Sequence, residues 1–191
     1  MRVADSEILI VPGWSGSGPD HWQARWARSL STARIVVQDD WFIPERSAWT
    51  ARLVEAVERA ARPVVFVAHS LGVATVVHAA ATLSPDRVAG AFLVAPADVD
   101  NAALWPVTAG HTFGASSAFA PLPTTRLPFP AVLVASADDP YCSFVRAGAL
   151  ATHWGASLVS AGPLGHINVA SGQGPWPEGL MHLGVFMKGL G

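Results

Sequence analysis

Ser70 closes an apolar, β-branched run, VVFVAHSLG at residues 64 to 72, and small residues stand two places to either side of it, at Ala68 and Gly72. A serine hydroxyl is a useful nucleophile only beside a general base. It meets a substrate carbonyl best from a sharp strand-to-helix turn that lifts it clear of both elements, and the signature of that turn is G-x-S-x-G. Here Ala68 occupies the first glycine position, so the room that the neighbouring strand and helix need is preserved by the next smallest side chain. The surroundings favour the nucleophile, because a buried strand is predicted over Val64 to Ala68 and a helix from Leu71 to about Leu83. The plainer reading of the same residues is a serine that caps an ordinary helix.

A base and an acid to orient it are then expected downstream, in the chain order Ser, Asp, His. The segment AVLVASADDP is an apolar strand, Ala131 to Ala135, that breaks into two carboxylates and a proline. Asp139, directly before Pro140 and four places beyond the strand, is preferred as the acid, and Asp138 is left as its solvated or turn-forming neighbour. Asp98, which follows the strand Val88 to Ala95, is a rival that would keep the same order. AGPLGHINV sets His166 in a Gly/Pro loop beyond the short strand Ala156 to Ser160, from which it can swing over Ser70.

Acyl transfer also needs two backbone N–H groups aimed at the developing oxyanion, one after the nucleophile and one in the loop after the first core strand. Leu71 offers the first. Trp14 offers the second, in VPGWSGSGPDHWQARW, with Gly13 letting the backbone come close. That glycine-rich loop could hold a phosphate, but it lacks both the P-loop lysine and an in-register G-x-G-x-x-G. His69 points away from the nucleophile if the turn is real, His78, His153 and His182 fall on helices, His111 sits in a polar loop and His21 opens a helix. No pair has metal-ligand spacing, so neither a metal nor another cofactor is expected.

Together PGWSGSGPDHWQARW, VAHSLG, SADDPY and GHIN, with WPEG at Trp176 to Gly179, make the chain resemble the small serine hydrolases of the YdeN-like and retinoblastoma-binding-protein-9-like group in the α/β-hydrolase superfamily. The bacterial branch is the nearer match, and the likeness runs from about Ile8 to Gly191. It implies a triad at Ser70, Asp139 and His166, hydrolysis of small acyl esters and a compact fold without a large lid. Two other readings stay open: a protein-binding module with a vestigial or slow site, and an acyltransferase or amidase that uses the same triad.

The elements that must position these residues follow from the rest of the chain. Short apolar runs, Glu7 to Val11, Arg34 to Gln38, Val64 to Ala68, Val88 to Ala95, Ala131 to Ala135 and Ala156 to Ser160, alternate with amphipathic stretches, which predicts an α/β fold with a mostly parallel six-stranded sheet and helices on both faces. Trp22, Trp26 and Leu30, and likewise Trp49, Leu53, Val57 and Ala60, recur at helical spacing and read as core. A last helix is expected from Pro177. The 191 residues suit a single domain, able to bury roughly 70% of its unfolded surface without staples. A single cysteine, Cys142, excludes an internal disulfide and reads as a packed thiol. A net charge of −2 offers nucleic acid no basic face. Asp5 and Glu7 ahead of a five-residue apolar run resemble neither a signal peptide nor a spanning helix, so a cytoplasmic location is expected, away from membranes, with a small ester as partner. Nothing in the sequence marks a protein partner. The irregular stretch Pro96 to Pro130, helical only over Ala102 to Trp105, should lie over the carboxyl edge of the sheet. Trp105, Phe113 and Phe119 are therefore candidates, with Trp14, to line an acyl pocket for short chains, although burial beneath the loop explains each equally well.

Overall fold

Six of the apolar runs pair side by side in the computed structural model, which describes residues 1, 5–108, 111–112 and 118–190. In chain order the elements are β1 (Glu7–Val11), α1 (Trp22–Ser29), β2 (Ala33–Ile35), α2 (Arg46–Glu58), β3 (Val64–Ser70), α3 (Leu71–Ala79), β4 (Val88–Pro96), β5 (Val107–Thr108), β6 (His111–Thr112), β7 (Ala131–Ala135), α4 (Phe144–Trp154), β8 (Ser157–Ser160) and α5 (Pro177–Lys188). The main sheet has the order β2-β1-β3-β4-β7-β8, and every neighbouring pair in it is parallel.

The four inner strands, β1, β3, β4 and β7, are apolar on both faces because helices cover both. Alternate residues Leu9, Val11, Phe66, Ala68, Leu93 and Leu133 meet Trp49 and Leu53 of α2, Val73 and Val76 of α3 and Leu150 and Trp154 of α4. The intervening Ile8, Ile10, Val65, Val67, Phe92 and Val134 meet Trp22 and Trp26 of α1 and Leu183 and Met187 of α5. No described helix is long and apolar enough to cross a membrane.

Differences from the expected boundaries have local causes. β2 covers Ala33–Ile35 instead of reaching Gln38: the Val36 N–H still donates to the Ile10 carbonyl at 2.8 Å, and then the chain leaves the sheet edge with Val37 in solvent. Asp40 turns it, its Oδ1 accepting from the N–H groups of Phe42 and Ile43. α3 stops at Ala79, and a 3-10 turn, Ala80–Thr82, completes the helix expected to run to Leu83. β4 runs on to Pro96, which pairs with Ser70. That register sets the start of the irregular stretch beside the serine. Within the stretch, Ala102–Leu104 forms a 3-10 turn, and β5 and β6 pair as a short antiparallel ribbon that the sequence did not announce.

Candidate active site

Ser70 ends β3 and opens α3 with φ 57° and ψ −123°, a left-sided conformation that side chains other than glycine adopt at a cost. Its hydroxyl makes no cap hydrogen bond to α3, so the helix-cap reading of this serine fails. Packing holds the turn. A Cβ on Gly72 would strike the carbonyl oxygen of Val11 and come within 2.7 Å of that of Pro12. Ala68, fully buried, pairs with Val11 on the neighbouring strand β1. One on Gly13 would lie 2.7 Å from the Ser70 Cβ and 3.1 Å from its Oγ, so the glycine-rich loop approaches the serine as closely as backbone can.

The His166 Nδ1–H donates to Asp139, with 3.0 Å to Oδ1 and 2.9 Å to Oδ2. That bond leaves Nε2 free of its proton, facing the Ser70 hydroxyl at 2.9 Å as an acceptor. Asp139 Oδ1 also accepts from the Tyr141 N–H, and the Tyr141 ring stands edge-on to His166 with centroids 4.6 Å apart. Asp138 works elsewhere: its Oδ1 accepts from Ser136 Oγ and from the Gly165 N–H, both at 2.7 Å. Those bonds, the Ser136 hydroxyl first, hold its carboxyl below the usual range. Asp98 pairs with Arg146 at 3.1 Å, and its N–H donates to the Tyr141 carbonyl. Of the three aspartates weighed from the sequence, the structure brings Asp139 to His166.

Several residues that hold this arrangement were not singled out by motif. The His166 loop carries a strained residue, Ile167 with φ 48°, and is clamped on both sides of it. His69 donates its Nε2–H to the His166 carbonyl at 2.8 Å, and Trp22 donates its indole N–H to the Ile167 carbonyl at 2.9 Å. Ser136 Oγ accepts from the Leu164 N–H, and Asn168 closes a capping box with Ser171. The HWQ triplet is a brace. His21 Nδ1 accepts from the Gln23 N–H to cap α1, and Gln23 Nε2 donates to the carbonyls of Val11 and Val67. The imidazoles of His21, His69 and His166 form a row with centroid spacings of 5.1 and 4.8 Å. Burial, with the nearby His166, lowers His21 to about 4 and His69 well below the ordinary histidine value, so both are neutral.

A cavity of about 360 Å³ opens on Ser70, bounded by Trp14, Leu71, Asp98, Trp105, Tyr141 and His166. Trp14 and Trp105 thus stand where an acyl pocket was expected. Phe119 does not: it is fully buried against Trp49 and His78, because it packs on α2 and α3 beneath the irregular stretch. Phe113 lies outside the described residues. Trp176 is a core residue, stacked on Trp26 at 5.8 Å and seated over Gly179, which explains WPEG as packing. Cys142 is buried, and desolvation together with the charges of Asp98 and Asp139 pushes its thiol up to about 12, so it is no nucleophile.

A parallel sheet covered by helices on both faces, with a strained serine turn between its central strand and the next helix, defines an α/β-hydrolase fold. The chain belongs to the serine hydrolase family, whose model matches residues 8–185, and is an enzyme of that class. No curated protein matches it. Among solved structures it is similar to a YdeN-like hydrolase from Pectobacterium atrosepticum, at 28% identity and TM-score 0.83 over 98% of this chain and 94% of that one. It is also similar to the ydeN gene product of B. subtilis, at 19% identity and TM-score 0.77 over 96% and 99%. Est1E from Butyrivibrio proteoclasticus, solved with ferulic acid bound, shares the fold at 12% identity and TM-score 0.66 over 89% and 86%.

Proposed function

We propose that this chain hydrolyses small carboxylic esters through an acyl-enzyme on Ser70. The observation that carries the reading is the unbroken relay from Asp139 through His166 to Ser70, with each link at 2.9 to 3.0 Å. His166 Nε2 takes the hydroxyl proton as Ser70 Oγ bonds to the ester carbonyl carbon, and Asp139 holds the tautomer that leaves Nε2 able to accept. The backbone N–H groups of Leu71 and Trp14 receive the oxyanion, each worth on the order of 10² to 10³ in turnover. The tetrahedral adduct collapses, the alcohol leaves with the proton held on His166, and a water activated by the same imidazole then releases the acid and restores Ser70.

A vestigial site in a binding module has no need of a strained serine, a matched tautomer and a doubly clamped histidine loop, since strain at a site is maintained against a standing cost. The reading is tested with p-nitrophenyl butyrate and a fluorophosphonate probe. Wild type should hydrolyse the ester and take up one probe at Ser70, and Ser70→Ala should lose both. Probe uptake that survives in this variant, or a folded wild type that neither reacts with the probe nor cleaves the ester, would return the chain to the binding-module reading.

A further inference from the structure

The cavity at Ser70 has a charge of its own that the relay does not use. β4 pairs Pro96 with Ser70 and ends there, and Asp98 follows two residues on, at the start of the irregular stretch. Its side chain is nine-tenths buried and lines the same cavity. Asp98 Oδ1 accepts from Arg146 Nε at 3.1 Å, while Oδ2 accepts no hydrogen bond among the described residues. Arg146 cannot fully neutralise it, because the same guanidinium also bonds Asp100, which leaves two carboxylates on one cation. The described lining contains no lysine or arginine. Asp98 is its one formal charge, and the rings of Trp14, Trp105 and Tyr141 complete the wall.

Resting on the esterase reading, we propose that Asp98 sets substrate choice and that the preferred substrates are esters whose short acyl chain carries a protonated amine. An alkyl chain seated there would strip water from the open carboxylate oxygen and return nothing, which is the costly way to bury a charge. An anionic chain would be repelled. An ammonium group donates to Oδ2 in a charge-assisted hydrogen bond, restores neutrality to the Asp98, Asp100 and Arg146 set, and is attracted by the aromatic walls.

The test compares the p-nitrophenyl esters of β-alanine and butyrate, which have nearly the same shape and place an ammonium in one and a methyl in the other. Wild type should favour the β-alanine ester in kcat/KM, and Asp98→Asn should cut that preference by about tenfold or more. A wild type that favours butyrate, or a ratio that Asp98→Asn does not move, overturns the proposal. Failure of the esterase reading is distinct: neither ester would turn over. The same pair is then compared as protectants of Ser70 against the fluorophosphonate probe, where better protection by the ammonium ester, lost in Asp98→Asn, upholds the role of Asp98, and equal protection overturns it.

Discussion

Asp138 and Asp139 differ by one place in sequence and by everything in surroundings. Asp139 spends both oxygens on the His166 ring, while Asp138 spends one on Ser136 and on the backbone of the His166 loop. Asp139→Asn should therefore lose turnover steeply, on the order of 10⁴-fold, the size of loss when a triad histidine is held in the wrong tautomer. Asp138→Asn keeps an acceptor for the Gly165 N–H and should cost far less. Equal small losses at both, measured as kcat on one ester, would remove Asp139 from the relay. At this scale Ser70, Asp139 and His166 were legible because a short motif and a chain order announce them. His69, Trp22 and Gln23 were not, because each acts by donating to a main-chain carbonyl far along the chain, His69 to a residue 97 positions away and Trp22 to one 145 away. No spacing rule encodes such a partner.

The serine turn depends on how closely α3 and β1 approach, and that contact lies between elements. Gly72→Ala would drive a methyl into the Val11 and Pro12 carbonyls, which are held in the sheet and cannot give way cheaply. It should destabilise the fold by about 2 kcal/mol or more. Gly184 supplies the contrast. It lies in α5 with nothing within 4 Å of the added Cβ, so Gly184→Ala should stabilise by about 0.5 to 1 kcal/mol through helix propensity alone. Urea midpoints that move the same way for both variants would sink the packing account of the turn. The strands of the main sheet were legible, since parallel strands advertise themselves as apolar runs, and β1 and β7 end where the sequence suggests, whereas the two-residue strands β5 and β6 were not. The end of β2 was not, because an edge strand stops where a distant turn, here at Asp40, pulls it away. Nor was the burial of Phe119, which depends on which helices the irregular stretch happens to cover.

Across the whole molecule, the row of histidines ties stability to pH. His21 and His69 lie between α1, the end of β3 and the His166 loop, where burial keeps them neutral, and His78 on α3 is lowered by burial in the same sense. In the unfolded chain each regains an ordinary value near 6.5, so below that pH the unfolded state binds more protons than the folded one. Stability from these groups is thus complete above about pH 6.5 and declines as the pH falls toward the folded value. For His21, which falls to about 4, the full decline across that window is about 3 kcal/mol. The lowered carboxyl of Asp138 contributes in a separate range, present above the unfolded carboxylate value of 3.8 and lost below it. His21→Asn isolates the histidine part: asparagine still caps α1 by accepting from the Gln23 N–H, but it takes up no proton. The variant should resemble wild type in urea at about pH 7 and lose markedly less stability than wild type by about pH 5, where His21 accounts for about 2 kcal/mol of the difference. Parallel losses in the two proteins across that interval would show that the acid sensitivity arises outside His21.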